Sequence, residues 1–510
     1  MSYSDEMFDS SDEEQSPASI AVPSTSTPKT TLLRRVASGL SWIMGTSPSQ
    51  ETSTAEGRSD VALRQFTNEK LREQSSRYVT RRSLRVHIAT WNVASEPPPS
   101  SGLEKWLVGG TDPETLPDIV VVGLQEVEVG GTAFLLETTD SSVSWMEAII
   151  DTLNKVALPS KRWYKKIEMI QLVGITLIFI SRTDHVPHVR NIRKAVSRTG
   201  VIGGVGGNKG AIGLRATIYH KRCLFICAHF AAHKGKCEKR NANFHDAMGQ
   251  LKFPLSDEAD DELDFALGSP SIGVSRRALG SSFTARLFPR KVSGQGAVES
   301  EERMLATHDY TFFFGDLNYR LENQKYQDIM QCIDRKAYDD LLFFDELRQQ
   351  TANGVAFDGF SEPEIHFPPT YKFDKGRPTY DSVKRREPAW TDRVLFRALG
   401  NECGKGRKRS NSLPADLSSA PALPASCNTL LNEVKVVKYD SDTSLMVSDH
   451  RPVGAYFDIQ VTEVDRASAD VVLEEIERSA AKDYENRAFT RLRRSQTATA
   501  DLPVYDEDDV

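Results

Sequence analysis

Five acidic, amide or imidazole groups in this chain stand where apolar, strand-forming runs end, and this repeated junction constrains the fold more than any other feature. Asn92 follows RVHIATW, Glu126 follows DIVVVGLQ, His229 follows CLFICA, and Asp316 and Asn318 follow TFFFG. Any one of them alone reads as a cap, a turn or a salt-bridge partner. Together they require strands lying side by side with their ends at one edge, which is where α/β proteins build binding and catalytic sites.

The strands themselves are short and rich in β-branched and aromatic residues. SLRVHIAT alternates apolar and polar positions as a half-buried strand does, and DIVVVGLQE, TLIFIS, GAIGLRATIY, CLFICAHF, YTFFFGDLN and VGAYFDIQVTEV follow it. Helical periodicity intervenes at Ser142–Val156, and Tyr326–Gln350 holds one or two helices more. The pattern predicts an α/β domain over residues 82–464, interrupted by surface insertions at 254–302 and 400–432. Both insertions are rich in small and polar residues.

Residues 1–81 are rich in Ser, Thr, Glu and Pro and are expected to be mostly disordered. One island, residues 31–45, places Leu33, Val36, Leu40, Ile43 and Met44 on one helical face beside Arg34 and Arg35. It suits an amphipathic helix on an anionic membrane surface, a helix docked on the folded core, or a partner motif. Residues 465–510 are expected to begin as a helix and end as an acidic tail.

Net charge is −7 over 510 residues. Setting aside the eleven carboxylates of residues 1–15 and 501–510 leaves about +4, which suits an anionic ligand. The six cysteines include no CxxC pair, so free thiols in a reducing, cytoplasmic compartment are expected. The acidic N-terminus lacks the apolar core of a secretory signal. No apolar run reaches the ~18 residues of a membrane span, so any membrane contact is expected to be peripheral.

Carboxylate and amide groups without thiolates suit a hard cation such as Mg²⁺, which takes oxygen ligands and retains waters for phosphate oxygens. Glu126 is the natural ligand, supported by the Asn92 amide oxygen. Hydrolysis of a phosphate ester also needs an oriented water and donors to the phosphoryl oxygens. GDLN offers Asp316 for the first and Asn318 for the second. His450 in SDHRP is a further donor if a carboxylate keeps it charged, and Asp392 in PAWTDRVLF is the candidate partner.

These segments, TWNVAS, GLQEVE, GGNKGAIGLR, HFAAHKGKCEKRNANF, FFFGDLNYRL, PPTYKFD, REPAWTDRVLF and SDHRPV, occur in this order over about Arg82–Asp458. They resemble the inositol polyphosphate 5-phosphatases of the exonuclease-endonuclease-phosphatase superfamily. The resemblance implies a deoxyribonuclease I-like, four-layered sandwich of two central mixed sheets flanked by helices. It implies Mg²⁺ on Glu126 with Asn92, contact of His229 with the scissile phosphate, and water activation by Asp316. It further implies transition-state stabilisation by Asn318, orientation of His450 by Asp392, and Asp449 beside metal and phosphate. Thr391 stands where many members carry Cys or Ser, a change expected to matter little.

The expected substrate is a phosphoinositide such as phosphatidylinositol 4,5-bisphosphate, a soluble inositol polyphosphate, or both. Its ring phosphates require clustered donors, and Lys209, Arg240, Asn241, Tyr371, Lys372, Lys384 and Arg386 supply them. By resemblance, Tyr371, Lys372, Lys384 and Arg386 would grip the 4-phosphate and Arg240 would lie nearer the 1-phosphate. The alternatives are a metal-dependent nuclease of the same superfamily and a phosphoinositide-binding scaffold. The first would need a wide basic stripe, which the sequence lacks, so no nucleic-acid partner is expected. The second would have lost the water-activating Asp or the imidazole, and both are present. Apolar loops at 94–109 and 280–292 are candidates for lipid contact.

Overall fold

The computed structural model describes residues 66–480 and 482, apart from 68, 110–115, 129–137, 199–208, 254–303, 306 and 400–431. The expected amphipathic helix at 31–45, both insertions, the 280–292 loop and the acidic tail therefore lie outside the described residues. By its contacts the chain divides into two units, Leu71–Val472 and a second made of Met1–Lys70 with Leu473–Val510. Residues 466–480 are helical, entered through the Asp465 carboxylate, which accepts from the Ala467 and Ser468 amides. No helix of the described residues is long and apolar enough to cross a membrane.

The larger unit holds two sheets. The first comprises β1 (Val79–Asn92), β2 (Ile119–Gln125), β3 (Tyr164–Leu172), β4 (Ile175–Arg182), β10 (Val434–Ser441) and β11 (Val453–Val464). Their spatial order is β10-β11-β1-β2-β4-β3. The second comprises β5 (Val189–Arg198), β6 (Gly210–Ile218), β7 (Lys221–His229), β8 (Tyr310–Asp316) and β9 (Asp392–Ala398), in chain order. Both sheets are mixed: β1–β2 and β7–β8 are parallel and the other pairs antiparallel.

Alternation along the strands explains why two sheets stack. On the inner faces Val86, Ile88, Val121, Phe225, Phe312, Phe314 and Phe457 form one continuous core. Phe312 stacks on Phe225 at 5.7 Å and meets Phe457 at 5.1 Å between ring centroids. Each such buried ring contributes roughly 1.5–3 kcal/mol over its exposed state. Intervening residues face outward and are covered by helices. α1 (Glu104–Val108) and α2 (Asp140–Ala157) cover the first sheet, with Trp106, Trp145, Ile149 and Leu153 against Ala89, Val120, Val122 and Leu124. α3 (Cys237–Gln250) covers the second, with Phe244, Ala247 and Met248 against Leu224, Ile226 and Phe313. The result is the helix–sheet–sheet–helix sandwich expected from the sequence.

Three short helices follow β8: α4 (Tyr326–Asp334), α5 (Tyr338–Leu342) and α6 (Glu346–Ala352), where one or two were expected. A Thr139–Ser142 capping box starts α2. Two glycines allow close approach. A Cβ on Gly123 would meet Cys227 Sγ and Phe314 Cε2 at 2.6 Å, between the sheets. Gly315 has φ +137°, and a Cβ there would lie 2.0 Å from the Ala228 carbonyl oxygen. Gly315 thus lets β8 deliver Asp316 against β7.

Register then assembles the site. In the parallel pairs Asn92 lies opposite Gln125 and His229 opposite Asp316. In the antiparallel pair Asp316 lies opposite Asp392, the first residue of β9. Polar ends from both sheets therefore meet at one edge of the sandwich.

Candidate active site

Asp316 sits at the centre of this edge, only 1% exposed. Its Oδ2 accepts from Asn92 Nδ2 at 3.0 Å and lies 3.1 Å from His229 Nε2, while Oδ1 accepts from the Asn318 amide at 3.1 Å. Burial pushes its carboxyl up, but the hydrogen bond from His229 and the positive charges of His450 and Lys209 prevail and hold it far below the ordinary carboxylate range. His229 is buried, contacts Lys209 Nζ, and lies 3.7 Å from Glu126 Oε1. Burial, then the Lys209 cation, push its pKa down, so the ring is neutral. Burial also lowers the Lys209 pKa.

A second imidazole faces Asp316 from the loop before β11. His450 Nδ1 donates to Asp392 Oδ2 at 2.9 Å. The same oxygen accepts from Thr370 Oγ1 at 2.7 Å and Thr391 Oγ1 at 2.9 Å. The Thr391 hydroxyl thus takes up a partner at once. Burial opposes the charge on His450, yet Asp392, Asp316 and Asp449 raise its pKa to about 10. The SDHRP loop is pinned to β1: Ser448 Oγ donates to the Asn92 carbonyl at 2.6 Å, and Trp91 Nε1 donates to the His450 carbonyl at 3.1 Å. Asp449 pairs with Lys372. Burial pushes its carboxyl up, but His450 and Lys372 bring it below the usual range.

One group of acidic and imidazole side chains among the described residues is close enough to share a cation: Asp316, Asp392 and His450, within 4.8 Å. Its chemistry argues against that role. Asp392 Oδ2 already accepts three donors, Thr370 Oγ1, Thr391 Oγ1 and His450 Nδ1, and that last bond also occupies the Nδ1 of the ring. Glu126 fits a hard cation better. It follows β2 at φ +53°, its side chain is about one-third exposed, and its carboxylate lies 3.7 Å from the His229 ring nitrogen. Asn92 Oδ1 accepts from the Ala94 amide at 3.1 Å, which leaves it one lone pair.

The rim divides the predicted residues. Tyr371, Lys372 and Arg386 lie together on one side of the site, and Lys384 is on the same turn as Arg386. The Tyr371 ring lies 4.5 Å from that of His450, Arg386 Nη1 lies 3.4 Å from the Tyr371 hydroxyl, and Lys384 and Arg386 are exposed on a turn held by Asp381. Arg240 and Asn241 are corrections to the expected donor set. Arg240 is 0% exposed; its Nη2 donates to Glu346 Oε2 at 2.5 Å, and Nη1 donates to the Ala231 and His233 carbonyls. Asn241 is buried between Gln350 and the Tyr319 hydroxyl. Both lie on α3 with their side chains buried: Arg240 braces the loop after His229, and Asn241 ties α3 to Gln350 and Tyr319.

The sequence reading missed Arg320. Its Nη2 donates to Asn318 Oδ1 at 2.6 Å, and its guanidinium lies 4.4 Å from the Tyr371 ring centroid. The signal was present in GDLNYRL, two residues beyond Asn318. The arginines of TDR and SDHRP also have roles the sequence did not show. Arg393 is buried between Asp345 and Glu362, and Arg451 stacks 3.9 Å over the Phe373 ring.

This geometry can be set beside known proteins. The profile described as endonuclease/exonuclease/phosphatase family 2 matches residues 89–456. The chain is 27% identical over 411 residues to the type II inositol 1,4,5-trisphosphate 5-phosphatase of Mus musculus, covering 80% of this chain and 33% of that protein. It is 30% identical over 403 residues to the type II inositol polyphosphate 5-phosphatase 15 of Arabidopsis thaliana, covering 76% of this chain and 32% of that protein. It spans about a third of the length of these two curated relatives. Among solved structures, the inositol polyphosphate 5-phosphatase domain of SPsynaptojanin, in complex with inositol (1,4)-bisphosphate and calcium ion, shares 25% identity at a TM-score of 0.59. That match covers 83% of this chain and 98% of that one. With its two-sheet fold, its GDLN, TDR and SDHRP segments and this match over residues 89–456, the chain belongs to endonuclease/exonuclease/phosphatase family 2, and the relatives named above are inositol polyphosphate 5-phosphatases.

Proposed function

We propose that this chain hydrolyses the 5-phosphate of phosphoinositides or soluble inositol polyphosphates in a Mg²⁺-dependent reaction. The observation that carries this reading is the meeting of an ionised Asp316, a neutral His229 and a charged His450 at one edge of the sandwich, beside a basic rim. The solved synaptojanin domain supports it through its bound inositol (1,4)-bisphosphate, which lacks a 5-phosphate.

The assignments follow from the chemistry of each group. Asp316 accepts a hydrogen bond from the attacking water and orients it in line with phosphorus. His450, with Nδ1 held by Asp392, presents its other ring N–H to a phosphoryl oxygen. His229 lies against the scissile phosphate, and Asn318 donates to the developing charge. Glu126, with Asn92, would hold the Mg²⁺, which supplies electrostatic stabilisation of that charge when bound. Asp449 adjoins both centres through Lys372. The water oxygen forms the new bond to phosphorus, the ester P–O bond breaks, and the ring oxygen gains a proton, the equivalent of one that water gives up, to leave as a hydroxyl. Tyr371, Lys372, Lys384 and Arg386 grip the 4-phosphate, and Lys209 supplies further positive charge.

The test is phosphate release by the full chain from phosphatidylinositol 4,5-bisphosphate in vesicles and from inositol 1,4,5-trisphosphate, with Mg²⁺ and with a chelator. Loss of the 5-phosphate is expected, abolished by chelation and lowered about 10³-fold or more by Asp316→Ala. Release confined to the 4-position would overturn the reading.

A further inference from the structure

Asn318 has less freedom than its place at the end of a catalytic strand suggests. Its backbone lies in the left-handed region, φ +58°, with its amide held by Asp316 Oδ1 and the Thr391 carbonyl at 3.1 and 3.2 Å. What remains is the rotation of the side-chain amide, which can present oxygen or nitrogen to a given direction. An anionic phosphoryl group tolerates only the nitrogen.

We propose that Arg320 is a positioning residue that fixes this rotation, so that the Asn318 nitrogen is kept for the phosphoryl group, and that it ties the amide to the Tyr371 wall. A guanidinium has donors and no acceptor, so the atom it meets must be an acceptor. Arg320 makes two converging bonds to Asn318: Nη2 to Oδ1 at 2.6 Å and Nε to the backbone carbonyl at 3.1 Å. Oδ1 is thereby committed to Arg320. Nδ2 gives one hydrogen to the Phe230 carbonyl at 3.3 Å, and its second has no protein partner among the described residues.

Arg320 is itself held. Its backbone N–H donates to Glu346 Oε2 at 3.0 Å, the same oxygen that buried Arg240 grips. Its guanidinium carbon lies 4.4 Å from the Tyr371 ring centroid, a cation–π contact in which Arg and Lys are not interchangeable. A continuous line of contacts thus runs from α3 and α6, through Arg320, to both Asn318 and the phenol on the rim. Because Arg320 acts through Asn318, its loss should slow turnover more than it weakens binding.

The proposal rests on the phosphatase reading above, and the test separates the two. Kinetics are measured with the full chain and Mg²⁺ on inositol 1,4,5-trisphosphate and on inositol 1,5-bisphosphate. Arg320→Ala is expected to lower kcat about 10- to 100-fold on both, with KM changed about twofold or less, and Arg320→Lys to recover part of the loss. In an Asn318→Ala background, Arg320→Ala should cost less than about twofold more, because the amide it orients is gone. Additive losses, a rise in KM alone, or a loss confined to the 4-phosphorylated substrate would each overturn the positioning role. A wild-type chain inactive on both substrates would overturn the phosphatase reading and this proposal with it. An active wild type matched by Arg320→Ala would overturn the proposal alone.

Discussion

Two imidazole rings flank the same Asp316, and their environments drive them to opposite charge states. His450 is buried, but Asp392 sits 2.9 Å from its Nδ1, and with Asp316 and Asp449 it raises the pKa to about 10. His229 is equally buried and lies 3.1 Å from Asp316, yet burial and the Lys209 cation push its pKa down. Burial acts in the same direction on both. What differs is the sign of the nearest unshared charge: a carboxylate bound to His450, an ammonium in contact with His229. One ring is therefore a cation at neutral pH, suited to phosphoryl oxygens. The other is a neutral group that avoids adding a second positive charge beside Glu126.

The largest effect should come from removing this difference. Asp392→Asn takes away the carboxylate that holds His450 charged, and kcat at neutral pH should fall about 100- to 1000-fold. The consequence for stability has a definite sign. The folded pKa of His450 lies above its unfolded value of roughly 6.5, so its charge contributes stability that is complete below about pH 6.5 and lost as pH rises through about 10. Melting temperature measured against pH should show that alkaline loss in the wild type and a weaker one in Asp392→Asn.

A smaller effect tests the support of the neutral side. Arg240 holds the Ala231 and His233 carbonyls just after His229, and Glu346 beneath Arg320. Arg240→Met leaves that Glu346 carboxylate without its buried partner and should destabilise the fold by about 3–5 kcal/mol, read by denaturant titration. A rim ligand would instead raise KM and leave stability unchanged. The smallest effect is expected on the exposed rim. Lys384→Ala should weaken substrates carrying a 4-phosphate about 10-fold in kcat/KM and spare those without one; equal losses would remove Lys384 from that subsite.

What the sequence disclosed follows the same line between interior and exterior. The seven strand runs that alternation and β-branching picked out became β1, β2, β4, β6, β7, β8 and β11, which are the seven interior strands of the two sheets. The four edge strands, β3, β5, β9 and β10, were not legible as strands. Edges carry charge and irregular pairing that blunt the pattern: β3 reads YKKIEMIQL with a register shift at Lys166/Glu168, and β5 reads VRNIRKAVSR with another at Arg190/Arg193. β9 was seen only as a site motif. The candidate site residues at the ends of interior strands, Asn92, Glu126, His229 and Asp316, stood out in the sequence for the same reason. Arg240 and Asn241 looked like surface donors because KRNANF is polar. Their partners, Glu346, Gln350 and Tyr319, are 78 to 109 positions away. Arg320 escaped notice because its role lies in a stack on Tyr371 that spacing does not reveal.

The most direct measurement is a nuclear magnetic resonance titration of the His229 and His450 rings in histidine-labelled full chain, each assigned by its substitution. His450 should remain protonated through neutral pH and titrate near pH 10, while His229 should titrate below the ordinary imidazole range. Two rings titrating together near pH 6.5 would contradict the opposed-charge site from which the proposed chemistry is built.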